Sequence, residues 1–323
     1  MSYRMKMILP FVGLMMLFGC ATLAVVREAE GAEGVALPSR AVAMSARATP
    51  FSGGTFEASG VAHVPGTDGV LFVDDGRPDE VFWMRLGEGG AQAGAVTPVK
   101  LGASVIDLEG MTYGDSHFYV VGSQSKSKGG DAAGLVRFRF DAAAGRAEGV
   151  ETVAGLKRFL AERVAELRGM ENTKYKEGGI NIEGVAWDAR GGRLLLGLRS
   201  PVVDGSALVV PLRMRDPRGA FAAENLEVEG AKAIRLPLGG AGIRSIEYDD
   251  RLKAFRLITG AGPNAEKMDF KFWEWDGDAA RPALRETGSY DRSLKPEGVT
   301  RVSNGGRDFT FIVFDTSLYT AAE

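Results

Sequence analysis

The stretch NIEGVAWDARGGRLLLGLRS, residues 181–200, decides the fold because its pattern occurs five times along the chain. A Glu-Gly pair precedes a short alternating strand, a Gly-Gly turn follows, and a second apolar strand ends on polar residues. Two such strands joined by a turn rich in Gly, Asp or Asn predict a β-hairpin. The other copies are EASGVAHVPGTDGVLFVDD (57–75), DLEGMTYGDSHFYVVGSQS (107–125), GIRSIEYDDRLKAFRLITGA (242–261) and KPEGVTRVSNGGRDFTFIVFDT (295–316).

Two further strand patterns follow each of the first four hairpins. The third strands read VFWMRL, LVRFRF, LVVPLRM and FKFWEWD, and weaker fourth strands read TPVKL, EGVETV, AIRLPL and ALRETG. Four antiparallel strands repeated about every 50 residues predict the blades of a β-propeller. We therefore predict an all-β, five-bladed propeller, and a six-bladed one if a further blade lies near 141–180. The fifth copy stops after two strands, so we expect an N-terminal strand to close the last blade.

One helical pattern interrupts the repeat. The longest interval between copies contains LKRFLAERVAELRGM, in which the apolar positions 156, 159, 160, 164 and 167 follow helical spacing. This predicts one amphipathic helix near 156–169, inserted between two blades. Packing against the propeller is the favoured role, and a lid over a functional site is the alternative.

Composition and motif content exclude several classes of function. The chain has 44 Gly among 323 residues, which suits a turn-rich all-β fold, and its net charge of −3 argues against a nucleic-acid surface. The two histidines, His63 and His117, have no plausible catalytic triad around them, and no zinc-protease, nucleophile-elbow, P-loop or dinucleotide motif occurs. Two classes of function remain possible for this chain: ligand binding without catalysis, and metal-assisted or carboxylate-based hydrolysis.

The N-terminal residues predict export. Arg4 and Lys6 precede an apolar run, so residues 1–32 are interpreted as a signal peptide or lipoprotein signal, and 33–323 as a single propeller domain. The sequence LFGC at 17–20 resembles a lipobox, which would lipidate Cys20; ordinary cleavage nearby and an uncleaved anchor are the alternatives. All three predict a periplasmic or secreted domain that meets a membrane only through its N-terminus. Cys20 is also the only cysteine, so the domain has no disulfide.

The repeat should gather polar residues on one face of the propeller. In an antiparallel hairpin the start of the first strand lies beside the end of the second. If the first strand is innermost, the residues preceding the repeated Gly form a ring around the axis. These are Ser59, Glu109, Glu183, Arg244 and Glu297. The ends of the second strands add Ser123, Arg199, Thr259 and Asp315 to the same face.

This ring has two interpretations. In the functional one, oxygen ligands from four acids coordinate a hard cation such as Ca²⁺, and two arginines bind an anionic group of the substrate. The acids are Glu109, Glu183, Glu297 and Asp315, and the arginines are Arg199 and Arg244. In the structural interpretation each Glu is a latch that accepts backbone N–H bonds or pairs with Arg between blades, while the Gly permits close approach of strands. Ser59 and Arg244 break the ring, and such departures are where a site is usually made.

The loop GSQSKSKGGDAAG, residues 122–134, leaves the second hairpin on this face. Lys126 could reach over the centre and meet an anion, together with Ser123 and Thr259 as further ligand-binding residues. The alternative is an ordinary solvated loop, which its Ser, Lys and Gly content favours.

The motifs together resemble a known family. DLEGMTY with VVGSQSKSKGG, NIEGVAWD with LLLGLRSPV, GIRSIEYD with ITGAGP, and PEGVTRV occur in the order found in the bacterial domain-of-unknown-function family thirty-six-sixteen. The resemblance extends from about Phe56 to Thr316. That family is more distantly similar to secreted propellers described as phytase-like or esterase-like, which implies a phosphoester or ester hydrolase with a metal-loaded acidic face. This second link is a likeness of fold and supplies no activity by itself.

The sequence thus predicts an exported, envelope-associated propeller that binds a small anionic ligand or an envelope protein on its Glu-Gly face. The alternative is a metal-dependent hydrolase of phosphate or carboxylic esters, in which the four acids hold the metal and the two arginines hold the substrate.

Overall fold

A computed structural model describes residues 48–125, 133–263 and 268–323, and these residues form the five antiparallel sheets of a five-bladed β-propeller. After the short strand β1 (Thr49–Pro50), the first blade contains β2 (Ala58–His63), β3 (Gly69–Asp74), β4 (Glu80–Arg85) and β5 (Thr97–Lys100). The second blade contains β6 (Leu108–Gly114), β7 (His117–Gly122), β8 (Ala133–Asp141) and β9 (Arg146–Ala154). The prediction of an all-β propeller with five blades is confirmed.

The remaining blades follow the same order. The third blade contains β10 (Asn181–Asp188), β11 (Arg193–Val203), β12 (Ser206–Met214), β13 (Leu226–Val228) and β14 (Ile234–Leu236). The fourth contains β15 (Gly242–Asp249), β16 (Ala254–Gly260), β17 (Phe270–Trp275) and β18 (Leu284–Tyr290). The fifth contains β19 (Pro296–Asn304), β20 (Arg307–Phe314) and β21 (Leu318–Ala322). The first strand of each hairpin is innermost, because β2, β6, β10, β15 and β19 contact one another around the axis.

The fifth blade is completed from both ends of the described chain. Its strand order is β1-β21-β20-β19, so Leu318–Ala322 supplies the third strand and Thr49–Pro50 the outermost one. The sequence pattern ends the fifth copy after two strands, and it missed β21 because LYTAA is short and carries only a weak alternation. Phe51 anchors this edge, since its ring lies 5.3 Å from the ring of Tyr319 and 5.1 Å from that of Phe72.

The inserted helix is shorter than predicted. Helix α1 spans Leu156–Arg163 and ends there because Val164 adopts an extended backbone with φ −101° and ψ 123°. Its apolar side chains, with Val164 and Leu167, are buried in the core between the second and third blades, which supports the packing role. Residues 141–180 hold β9 and this helix, and no sixth blade lies there. Short 3₁₀ turns occur at Glu88–Gly90, Ala165–Leu167, Tyr175–Glu177, Ala223–Asn225 and Glu229–Ala231.

The repeated Gly, which follows Ser59, Glu109, Glu183 and Glu297, lets the inner strands pass one another. A Cβ atom placed on Gly60 would lie 2.7 Å from the backbone nitrogen of Met111 in the second blade. One placed on Gly110 would lie 3.1 Å from the carbonyl oxygen of Glu183 in the third. Gly184 and Gly298 meet the inner strands of the fourth and first blades in the same way. The inner strands are therefore packed backbone against backbone, with no room for a side chain.

The fourth blade has Ser245 where the others have Gly. The Ser245 hydroxyl accepts a hydrogen bond from the backbone N–H of Val299 at 3.3 Å, in the inner strand of the fifth blade. A small polar side chain here replaces the direct backbone approach with a hydrogen bond, so this junction also closes.

None of the helices in the described ranges is both long and apolar enough to cross a membrane.

We expect Gly60→Ala to lower the free energy of unfolding by about 1–3 kcal/mol, because its new methyl group would collide with backbone atoms that cannot rotate away. Chemical denaturation of the purified protein measures the loss. Gly87→Ala is the matched control: the nearest atom to its Cβ is 3.6 Å away and its φ of −93° suits any residue. Equal stability of the two variants would contradict the close-approach argument.

Candidate functional site

A β-bulge aims the ring residue of each blade at the axis. On β6, Leu108 pairs with Gly122 and Gly110 with Val121, so Glu109 is an extra residue in the inner strand. The same shift in register occurs at Glu183, Arg244 and Glu297. In the first blade the interrupted stretch of pairing is longer, between Ala58 and Val61, and it includes Ser59. A bulge disrupts the ladder and re-aims the side chain of the extra residue. This explains how residues of five separate strands can point to one place.

The five ring residues line one cavity of about 430 Å³. The ends of the second strands contribute Asp75, Arg199 and Asp315, the loops above them contribute Ala261, Met268, Arg292 and Lys295, and the start of β17 contributes Phe270. The cavity is therefore ringed by charges of both signs, with a small apolar patch from the fourth blade. The structure brings the predicted ring together, while the roles given to its members stay predictions.

Arg244 is the centre of the ion pairs in the cavity. Its guanidinium lies 2.8 Å from a carboxylate oxygen of Glu183 and also contacts the carboxylate of Glu297. These three residues come from the third, fourth and fifth blades, so Arg244 joins three neighbouring inner strands. The side chains of Glu183 and Glu297 are only 2% and 5% exposed. The ion pairs of Arg244 with Glu183 and Glu297 therefore link neighbouring blades, which is the role that the structural interpretation assigned to the Glu residues.

Arg199 is the more accessible arginine. Its guanidinium donates to Glu183 at 2.9 Å and to the carbonyl oxygen of Ala261 at 3.0 Å. It also lies over the ring of Tyr175, with 5.0 Å between its Cζ and the ring centroid. Tyr175 follows the inserted helix, so the insertion reaches the rim of the cavity even though the helix itself is buried. About a quarter of the Arg199 side chain stays exposed to the cavity (26%).

The first and second blades contribute acids that lack a basic partner. Within the described residues Glu109 makes neither a hydrogen bond nor an ion pair; burial, followed by the charge of Glu183, raises its pKa well above the usual range. Burial, followed by a hydrogen bond with Glu57, raises the pKa of Asp75 to about 7. Both groups hold a proton more readily than ordinary carboxylates. At neutral pH this wall of the cavity therefore carries less negative charge than its residues suggest.

The opposite wall is basic. Lys295 lies 2.6 Å from the carboxylate of Asp315 and forms an exposed ion pair with it. Arg292 is exposed and makes no ion pair with any residue that the structure describes. Both precede the Glu-Gly copy of the fifth blade, within the loop that leads from β18 to β19. The cavity therefore has one side, on blades one and two, whose two carboxyl groups have raised pKa values, and another side, on blades three to five, that carries all of its cationic side chains.

Two predicted ligand-binding residues, Ser123 and Thr259, do not line the described cavity. Ser123 is 1% exposed, and its hydroxyl contacts Asp107 and lies 2.9 Å from that of Ser125. Thr259 is fully buried and accepts a hydrogen bond from the indole N–H of Trp273 at 3.1 Å. Both side chains turn into their own blade. Lys126 lies outside the described residues.

The acids do not fit a calcium site in this arrangement. Glu183 and Glu297 are engaged by Arg244, and Asp315 by Lys295, so cationic side chains already stand where a metal ion would bind. No group of three or more acidic, His or Cys side chains in the described ranges is placed to hold a metal ion. The prediction of Ca²⁺ at Glu109, Glu183, Glu297 and Asp315 stays a prediction without support from the geometry.

Sequence reasoning missed Arg292 and Lys295 as lining residues. The available signal was their position: SYDRSLKPEG runs directly into the Glu-Gly pair of the fifth copy, so its charges are expected on the same face. Phe270 and Tyr175 gave no signal, because their places depend on how loops from different blades meet above the axis.

Comparison with known proteins supports the family resemblance. Residues 148–290 match the model of a family described as a protein of unknown function, DUF3616. The match covers the inserted helix and the third and fourth blades, and it confirms the resemblance over that segment. No curated protein is similar enough to the chain to count as a match.

Several solved structures are similar to this chain at low identity. The PQQ domain of pyranose dehydrogenase from Coprinopsis cinerea is 12% identical, with 87% of this chain and 96% of that one covered and a TM-score of 0.49. The soluble aldose sugar dehydrogenase from Escherichia coli is 11% identical, with 86% and 99% covered and a TM-score of 0.46. Hydrazine synthase from Kuenenia stuttgartiensis is 10% identical, with a TM-score of 0.38. The aligned part is 79% of this chain but only 61% of the length of that protein. These likenesses are too low to assign a ligand or an activity.

We expect Arg244→Gln to lower the free energy of unfolding by about 3–5 kcal/mol, because it leaves the buried carboxylate of Glu297 without its cation and that of Glu183 with Arg199 alone. Urea denaturation at pH 7 measures the change. Arg251→Gln is the control, since Arg251 pairs with Asp308 at the surface and its side chain is 55% exposed; its loss should be about 1 kcal/mol or less. Similar losses in both variants would show that Arg244 does not hold the blades together.

Proposed function

We propose that the protein binds a small anionic ligand, one with a carboxylate or phosphate group, in the cavity on the Glu-Gly face. The observation that carries this proposal is Arg292, a cavity-lining guanidinium with no ion pair to any described residue. Guanidinium matches the oxygens of carboxylate and phosphate in shape and charge. Arg199, which keeps part of its guanidinium accessible, would supply a second contact.

The charge balance of the cavity supports an anion. Its lining contains four cationic side chains, which are Arg199, Arg244, Arg292 and Lys295. It also contains five acids, but the pKa of Glu109 is raised well above the usual range and that of Asp75 is raised to about 7. When these two are protonated, only Glu183, Glu297 and Asp315 remain ionised. The cavity then has one positive charge in excess, which an anionic ligand would neutralise.

The size and shape of the cavity favour a small molecule over a protein partner. About 430 Å³ lies within the range of small-molecule sites, and convergent polar groups with a small apolar patch are typical of them. An envelope protein inserting one acidic side chain is the alternative occupant. A metal-dependent hydrolase has less support, because the acids that would hold its metal are engaged by basic side chains.

We also propose that the domain is exported, as the features of residues 1–32 predict. Those residues lie outside the described part of the chain. When the full chain is expressed in a bacterium, we expect it in the envelope fraction, with the N-terminus removed before or near Cys20. Mass spectrometry of the mature N-terminus distinguishes a lipidated Cys20 from ordinary cleavage. Recovery of the intact chain in the cytoplasm would contradict export.

Titration calorimetry with inorganic phosphate, citrate and gluconate at pH 6 tests the binding proposal. We expect at least one to bind saturably, and Arg292→Gln to weaken it about 10-fold or more, the effect of losing a charge-assisted hydrogen bond. Arg218→Gln removes an exposed arginine outside the cavity and should bind as the unmodified protein does. Saturable binding that Arg292→Gln leaves unchanged would overturn the assignment of the site. Failure of all three anions to bind would overturn the proposed function.

We expect the affinity for gluconate, a carboxylate that stays ionised throughout, to fall as the pH rises from 6 to 8. Asp75, whose pKa is about 7, loses its proton in this range and adds a negative charge to the cavity. The Asp75→Asn variant should bind equally well at both pH values, because its amide does not titrate. The same calorimetric titration measures both proteins. An equal fall in affinity in the variant would show that another group is responsible.

A further inference from the structure

A second cavity lies at the other end of the inner strands. It has a volume of about 370 Å³. Its rim is formed by the residues three positions after the repeated Gly, or after Ser245 in the fourth blade. These are His63, Tyr113, Trp187, Tyr248 and Arg301, and all five are half-buried. The inner strands run from the Glu-Gly cavity to this one, so the two cavities are opposite mouths of the propeller axis.

The floor of this second cavity is a carboxyl group on the axis. Glu247 of β15 accepts hydrogen bonds from the hydroxyls of Thr112 at 3.0 Å and Thr300 at 3.5 Å. These threonines belong to the second and fifth blades, so the bonds from the fourth blade cross the centre of the molecule. The equivalent positions in the first and third blades are Ala62 and Ala186, which are small and leave room. No Lys or Arg in the described ranges forms an ion pair with Glu247.

The charged residues around Glu247 make this mouth acidic. The lining contains Glu247, Asp249 and Asp250, whereas Arg301 is its one Arg or Lys among the described residues. Asp249 lies 2.8 Å from Arg256, and Asp250 lies 2.9 Å from Arg301, so these two acids are already paired. His63 adds no positive charge near neutral pH, since burial lowers its pKa. The carboxyl group of Glu247 is therefore the acid left for a ligand.

Three aromatic residues line the cavity together with this carboxyl group. Tyr113, Trp187 and Tyr248 come from three consecutive blades and stand at equivalent positions on the rim. One of them already binds a cation on a ring face, since the guanidinium of Arg190 lies 5.3 Å from the ring centroid of Tyr248. Aromatic faces arranged around a carboxylate form a site for organic cations, because the ring faces and the acid both attract positive charge while the rings also accept apolar groups.

We propose that this second cavity binds an alkylated ammonium group, which enters between Tyr113, Trp187 and Tyr248 and meets Glu247 at the axis. The site lies at the opposite mouth from the anion site and does not depend on the function proposed there. A quaternary ammonium fits better than a metal ion, because three aromatic rings would contact its methyl groups and only one carboxylate is free.

The probe is choline, titrated by calorimetry at pH 9, where the Glu247 carboxyl, with a pKa raised by burial to about 8, is mostly ionised. We expect saturable binding with a Kd of about 1 mM. The uncharged isostere 3,3-dimethyl-1-butanol has the same shape and should bind at least about 10-fold more weakly. Equal binding of the two probes, or no saturable binding of choline up to about 100 mM, would overturn the proposal.

Variants locate the binding. Glu247→Gln keeps a side-chain oxygen that can accept from Thr112 and Thr300, so it should fold, and we expect it to weaken choline binding about 10-fold or more. Tyr113→Leu should weaken it as well, by removing one ring face. Glu286→Gln removes an exposed carboxylate on β18 and should leave choline binding unchanged. Thermal melting checks that each variant is folded. Unchanged binding by folded Glu247→Gln would overturn the assignment.

Discussion

The close approach of the five inner strands at the axis is the constraint on which the rest of this structure depends. At Gly60, Gly110, Gly184 and Gly298 the backbone of one blade lies where a side chain would otherwise be. Ser245 completes the circle by accepting a backbone N–H from the next blade. Because the strands are packed so closely, the residues beside these positions are brought to the same axis.

The same constraint produces the charged cavity. A bulge at the residue before each Gly turns that side chain inward, so residues of one position in the repeat meet in space. Five Glu carboxylates at this position would repel one another, and the two departures from the repeat reduce this repulsion. Ser59 is uncharged and Arg244 is cationic, so the buried acids of the third and fifth blades find a shared partner. Stability and the site are thus built from the same residues.

The two mouths of the axis differ in charge although the same five strands form both. One collects the bulge residues and the basic loop before β19, which support an anion site. The other collects aromatic residues around Glu247, which support a cation site. The inner strands keep a nearly constant packing surface between the mouths, because Val61, Met111, Val185, Ile246 and Val299 all face the core there. The repeated positions of the inner strands form the scaffold, and the residues that differ between blades at each mouth determine the charge of the two cavities.

The repeat in the amino-acid sequence determined the all-β propeller and the equivalence of Ser59, Glu109, Glu183, Arg244 and Glu297, because these follow from period and alternation alone. Period favoured five blades over six, and the tertiary structure decided the number and showed that the first strand of each hairpin is innermost. Tertiary structure decided which charges meet. Whether Glu183 binds a metal ion or Arg244 depends on distances between blades that are far apart in the chain. The places of Arg292, Tyr175 and β21, and the burial of Ser123 and Thr259, likewise depend on how loops and edges from different blades pack. No local pattern encodes such contacts, since each depends on the closure of the whole ring.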